Sequence, residues 1–315
     1  MYRGRAECNG SAKELLIGVV TLSPAIDVTY QVQKLVLGES HRVQKTYKFA
    51  GGKALNVARV LKSGGHHTAL ILPTGGQAGS WLRSELEKLG VSYQAIETIA
   101  ETRTCVSVVD IGATVFNEPA PSVLESEFEA FLAIIQGARD TSVGVLSGSL
   151  PADLTSQQIT RLLSVIRDSF PIAVIDTSGT ALIEAAKLGF DLLKPNREEL
   201  LAATGSESVE IAAGFLMSLG AKRVLVSLGE LGAKLFTSKK LLSVQVTKVQ
   251  GNPTGAGDAM VATASWSLDK GLTDSQLLKN AAAAGSLAVL EPVAGQINWE
   301  KLADLANTLE VEEVE

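Results

Sequence analysis

Apolar runs and polar loops alternate in a regular rhythm through the second half of this chain. Residues 143–146, 172–175, 190–193 and 223–226 are short stretches rich in Val, Ile and Leu. Each runs into a polar or glycine-rich loop: Ser147-Gly-Ser-Leu-Pro151, Asp176-Thr-Ser-Gly179, Lys194-Pro-Asn-Arg-Glu-Glu199 and Ser227-Leu-Gly229. Helical spacing of apolar positions follows over 156–168, 180–188 and 207–219. Such alternation predicts βαβ units in a mainly parallel sheet, an α/β fold with function along the edge where the loops gather. Earlier in the chain, residues 15–22 and 67–72 read as buried strands, 79–89 and 124–135 as helices, and 91–96 as a strand. Residues 231–246 have hairpin character, and two helices, 256–268 and 273–290, follow.

One region breaks the rhythm. Over residues 28–49 strand formers such as Thr29, Tyr30, Val36, Tyr47 and Phe49 mix with Lys34, Arg42, Lys45 and Lys48. That pattern predicts short antiparallel strands with one wet face. A hairpin over 105–116, turning at Gly112, has similar character. We expect a small sheet standing off the main body, a lid formed by about 28–50 and 103–117, within a single domain spanning 1–315.

Composition narrows the partners. The net charge is −6 with no basic block, which excludes nucleic acid and anionic membrane surfaces as expected partners. No apolar run approaches the roughly 18 residues of a membrane span. The N-terminus has no apolar signal core, so a cytoplasmic location is expected, with Cys8 and Cys105 as reduced thiols. His41, His66 and His67 offer no metal-binding spacing, and residues 310–315 read as a solvated acidic tail.

Two glycine turns open directly onto helices. In Asn252-Pro-Thr-Gly-Ala-Gly-Asp258 the small residues from Ala256 onward begin a buried helix, with Asp258 in its first turn. The first N–H groups of a helix lack partners and carry partial positive charge, so an anion can sit there beside the carboxylate. That pairing suits phosphoryl transfer; a plain glycine turn with an acidic N-terminal residue is the alternative. In Gly51-Gly-Lys-Ala-Leu-Asn56 the same junction recurs, with Lys53 as a point charge for phosphate and Asn56 able to donate and accept. It is not a Walker loop, and a solvated Lys53 on an ordinary helix remains open. Asp27 meets a polar ligand beyond the first strand, or simply forms a turn after Pro24. Arg103 opens a strand and either points across it or stays in solvent.

The stretches GGKALNVARVL (51–61) and NPTGAGDAMVA (252–262) resemble the two signatures of the ribokinase-like (PfkB) carbohydrate kinases. TLSPAIDVTY, SGSLP, DTSG, KPNREEL and SLGELGA place the likeness nearer the 1-phosphofructokinase and tagatose-6-phosphate kinase branch. The resemblance implies a three-layer α/β/α domain with a lid. It implies Asp258 as catalytic base and Gly255, Ala256 and Gly257 as the anion hole. Asp27, Gly52, Lys53, Asn56 and Arg103 would hold the sugar phosphate, with Arg42 reaching in from the lid. Lys194, Asn196, Ser227, Gly229 and Asn280 would line the ATP side, and Glu199 would act through water on Mg²⁺. A homodimer through the lid is a further implication.

The sequence departs from those signatures at Ala54, Pro253-Thr254, Ser23 and the loop 117–121. None of these removes a charged group that the transfer needs, and the changes at Ala54 and the loop lie near the sugar. The expected activity is ATP-dependent phosphorylation of a ketohexose phosphate, fructose 1-phosphate to fructose 1,6-bisphosphate. Tagatose 6-phosphate kinase activity and a free-sugar kinase are the alternatives. A sensor without catalysis is disfavoured by the intact Asp258, and a dinucleotide-binding oxidoreductase by the lack of G-x-G-x-x-G after the first strand.

Overall fold

A computed structural model describes residues 16–314. Seven parallel strands form the body of one sheet: β1 (Leu16–Val20), β4 (Thr68–Gly75), β5 (Ser92–Thr98), β8 (Thr141–Ser147), β9 (Ile172–Asp176), β10 (Leu192–Leu193) and β11 (Arg223–Ser227). Three antiparallel strands, β12 (Ala233–Thr237), β13 (Leu241–Val244) and β14 (Val311–Val314), extend it to ten, in the order β14-β13-β12-β11-β10-β9-β8-β1-β4-β5. The strands β2 (Ala25–Gln31), β3 (Lys45–Gly51), β6 (Arg103–Val109) and β7 (Ala113–Asn117) form a separate sheet in the order β3-β2-β6-β7.

Helices cover both faces of the large sheet. On one side α1 (Lys53–Ser63), α8 (Ala256–Asp269) and α9 (Asp274–Val289) pack with α10 (Leu302–Thr308) around Leu55, Leu61, Val145, Val261 and Leu278. On the other, α3 (Glu125–Gly137), α4 (Ser156–Ser169), α5 (Gly179–Lys187), α6 (Arg197–Thr204) and α7 (Val209–Leu219) bury Phe128, Phe131, Leu163 and Phe190. The helix α2 (Gly76–Lys88) joins the lid to the body, where the Lys48 ammonium lies 4.1 Å from the centre of the Trp81 ring. Among the described residues no single helix is long and apolar enough to cross a membrane.

Several expectations need correction. The small sheet is mixed, because β2 and β6 run parallel. Its strands begin earlier than residue 28, so Asp27 lies inside β2, paired with Phe49 on one side and Cys105 on the other, and is not a loop residue beyond β1. The acidic tail expected over 310–315 is in large part a strand: Val311–Val314 pairs with β13 as an edge strand, and its exposed Glu312 and Glu313 suit an edge that must not recruit further strands. Residues 197–199, expected in a loop, instead begin a helix, α6, that runs to Thr204. Cys8 lies outside the described residues.

Candidate active site

The site gathers where the strand ends of β8, β9, β10 and β11 meet the N-termini of α1 and α8. Gly255 takes φ +86, and a Cβ there would fall 2.8 Å from the Ala294 Cβ and 3.2 Å from the Gly295 nitrogen. Only glycine satisfies both demands. No side chain caps α8; the Ala256 N–H donates to the Pro253 carbonyl at 3.2 Å, so of these two leading groups the Gly257 N–H is the one left to a ligand. A Cβ on Gly257 would stand 3.5 Å from the Lys194 Nζ, which places that ammonium beside the open helix end.

A chain of alternating charges runs beneath this helix end. Lys194, 3% exposed, lies 3.2 Å from the Oδ1 of Asp176, which is wholly buried at the end of β9. Asp176 also accepts from the Ser147 hydroxyl at 2.9 Å and lies 3.6 Å from the Lys53 Nζ. Lys53, the first residue of α1, donates to the Glu199 Oε1 at 3.1 Å. The other oxygen of Glu199 accepts from the Asn196 backbone N–H at 2.9 Å, while the Asn196 Oδ1 accepts from the Glu199 N–H at 2.7 Å. This reciprocal pair caps α6 and fixes both residues in place.

Asp258 stands against this chain, 6% exposed. Its Oδ2 accepts from the Asn56 Nδ2 at 2.8 Å. Burial, and then repulsion from Asp176, push its carboxyl up to about 6; Lys53, the Asn56 hydrogen bond and Lys194 pull the other way. Burial would also raise Asp176, but Lys194, Lys53 and Ser147 outweigh it and hold that carboxyl below its ordinary value. Asp176, with Glu199 beside it, raises the Lys53 ammonium well above the usual range. So one carboxylate is locked in the ionised state while its neighbour is poised near neutrality, as a general base requires.

A second group of side chains sits at the root of the lid. The Asp27 Oδ2 accepts from the Gly52 N–H at 3.3 Å, and a Cβ on Gly51 would lie 2.0 Å from the Asp27 Cγ. Gly51 is therefore the space that the Asp27 carboxylate occupies. Arg103 donates from Nη1 to the Glu118 carbonyl at 2.9 Å and from Nη2 to the Ser23 carbonyl at 3.1 Å, bridging the chain entering β2 and the chain leaving β7. Burial raises Asp27; the Gly52 N–H, Arg103 and Arg59 partly offset it.

Ser227 and Asn196 form a parallel bridge, which sets the loops after β10 and β11 side by side, and Gly229 opens a short 3-10 turn there at φ +62. Two expected residues stand apart. Arg42 is exposed in the loop beyond the outer end of β2 and β3, where Gln31 pairs with Lys45. That end is four pairs from Asp27, roughly 13 Å at about 3.3 Å per residue, so Arg42 does not reach this chain's own site. Asn280 donates from Nδ2 to the Ser267 Oγ at 3.2 Å in the packing of α9 on α8, away from the charged chain. Lys53, expected on the sugar's phosphate, is drawn to Asp176 and Glu199 instead. Asp176 and Arg59 were missed by residue-level reasoning, although both lie in stretches that carry the resemblance, DTSG and GGKALNVARVL.

The sequence profile of the pfkB family carbohydrate kinases matches residues 17–301. The tagatose-6-phosphate kinase of Staphylococcus epidermidis is 30% identical over 310 residues, covering 95% of this chain and 100% of that protein. The 1-phosphofructokinase of Bacillus subtilis is 32% identical over 255 residues, covering 78% and 84%. Among solved structures, phosphofructokinase-2 from Escherichia coli in complex with potassium superimposes with a TM-score of 0.88 at 28% identity, over 93% of this chain and 99% of that one. The three-layer body with its small detached sheet is thus the ribokinase-like fold. A poised buried carboxylate at an open helix end, on this fold and with this profile, places the chain in the pfkB family of carbohydrate kinases, as a phosphotransferase that uses ATP.

Proposed function

We propose that this protein transfers the γ-phosphoryl group of ATP to a hydroxyl of a ketohexose phosphate, with fructose 1-phosphate as substrate and fructose 1,6-bisphosphate as product. The observation that carries this reading is Asp258, buried, raised to about 6 and set in the first turn of an uncapped helix. The sugar hydroxyl oxygen attacks the γ-phosphorus and its proton passes to the Asp258 carboxylate. The bond from the γ-phosphorus to the bridging oxygen breaks and ADP leaves. The Gly257 N–H, with Lys194 beside it, faces the charge on the transferred group. Arg103 and Asp27 at the lid root receive the sugar phosphate, and Asn196, Ser227 and Gly229 flank the nucleotide.

Magnesium fits the donor set. The Glu199 carboxylate already faces a cation, the Lys53 ammonium. Among the described residues no three His, Cys, Asp or Glu side chains cluster as a metal cage, so Glu199 would hold the ion through water and the phosphates would complete its shell. When bound, the ion neutralises charge on the triphosphate. A second copy of this chain over the lid belongs to the same reading: the register Tyr47–Thr29–Ser107–Val115 puts exposed Tyr47 and Val115 on one face.

Tagatose 6-phosphate is the second substrate reading, favoured by the relative of that name matching along its whole length. Phosphorus NMR of reactions with ATP and Mg²⁺ distinguishes the two. The account expects a bisphosphate signal and ADP with one of these sugars; ATP left intact with both would overturn it.

A further inference from the structure

Asn56 belongs to a signature whose polar side chains are expected to meet the sugar, yet its amide is spent on the base. Both groups are nearly sealed, Asn56 at 5% exposure and Asp258 at 6%. An ionised carboxylate only accepts, so the Nδ2 must be the end that faces it, at 2.8 Å. The backbone behind Asn56 leaves it no retreat: a Cβ on Gly295 would lie 3.0 Å from both the Asn56 Cα and its Oδ1. Helices α1 and α8, which carry the two residues, pack directly together. The Oδ1 is buried and has no protein partner. The amide is thus pinned by backbone on one side and by the carboxylate on the other.

We propose that Asn56 is a positioning residue for the base: its Nδ2 aims the Asp258 carboxylate and steadies its ionised form, over and above any contact with sugar. This rests on Asp258 being the base. The other charged groups facing Asp258 are Asp176 from the end of β9, Lys194 from the end of β10 and Lys53 from α1. Asp176 opposes ionisation and the two lysines favour it, so a loss of the Asn56 donor leaves the lysines alone to offset burial and Asp176.

The test compares pH profiles of kcat and KM for the wild type, Asn56→Ser, Asn56→Ala and Asp258→Asn, with circular dichroism melts of each. Serine keeps a hydroxyl too short to span to the carboxylate, and it serves if alanine does not fold. The expected result is an acid limb of kcat displaced upward by about one pH unit in the Asn56 variants, the scale of one hydrogen bond to a charged group. A raised KM for sugar with the acid limb unmoved would overturn the positioning role and leave Asn56 as a sugar ligand. Full activity in Asp258→Asn would instead overturn the base assignment itself, so the two failures are distinct.

Discussion

Burying the Asp258 carboxylate costs the fold stability, and that cost can be measured. Its carboxyl rises from 3.8 to about 6 on folding. At 1.36 kcal/mol per unit the shift is about 3 kcal/mol. Between those two values the folded state binds more protons than the unfolded one, so this group's contribution falls as pH rises through that window. The full penalty is present above about 6, and roughly half of it remains to be paid out at pH 5. Asp258→Asn keeps the shape of the side chain and an oxygen to accept from the Asn56 Nδ2, but carries no charge. The variant should therefore be more stable than the wild type by about 3 kcal/mol at pH 8 and by about 1.5 kcal/mol at pH 5. For a chain of 315 residues the larger figure corresponds to about 4 °C in Tm. Scanning fluorimetry of both proteins without nucleotide, at the two pH values, reads this directly. In the same preparation turnover should fall by about 10²- to 10⁴-fold, the usual scale for losing a general base. An asparagine variant that melts below the wild type at pH 8, or by the same interval at both pH values, would refute the reasoning.

Other perturbations separate the parts of the site. Gly51→Ala places a methyl where the Asp27 carboxylate lies, so the KM for sugar should rise with the KM for ATP little changed, in initial-rate measurements. Lys194→Met strips the fully buried Asp176 of its nearest cation and should destabilise the fold by about 3–5 kcal/mol, read by urea unfolding, besides weakening ATP. Gly255→Ala forces an L residue into φ +86 against Ala294; it should cost at least about 1–2 kcal/mol in unfolding experiments and lower kcat by disturbing the anion hole.

The fold was legible because polar loops punctuate the apolar strands so regularly, and because α8 and α9 are long and rich in alanine. What escaped has local causes. The strand expected over 190–193 loses its first two residues and is Leu192–Leu193, since Phe190 still closes the turn after α5, its N–H donating to the Ala185 carbonyl at 3.4 Å. Helix α6 buries only Leu200, so it shows no apolar stripe, and its start is marked only by the Asn196–Glu199 box. Strand β14 alternates too little apolar surface with its glutamates to look like one. In the site, the glycine turn marked the start of α8, which no side chain caps. The partner of Lys53 could not be read, because Asp176 lies more than a hundred residues away and only the folded chain brings the end of β9 to the start of α1. The resemblance puts Arg42 at the sugar, while register places it past the outer end of the lid strands.

The central claim is that a carboxylate poised near neutrality drives phosphoryl transfer to a sugar that already bears a phosphate. Its most direct test is kcat/KM in a coupled ADP-release assay with ATP and Mg²⁺, from pH 5 to 9, on fructose 1-phosphate, tagatose 6-phosphate, fructose 6-phosphate and free fructose. Because the base must be ionised, activity should rise with pH through about 6, on one of the phosphorylated sugars, and fall by about 10²- to 10⁴-fold with loss of that limb in Asp258→Asn. Turnover of free fructose alone, or an acid limb that persists at the same pH in the asparagine variant, would contradict it.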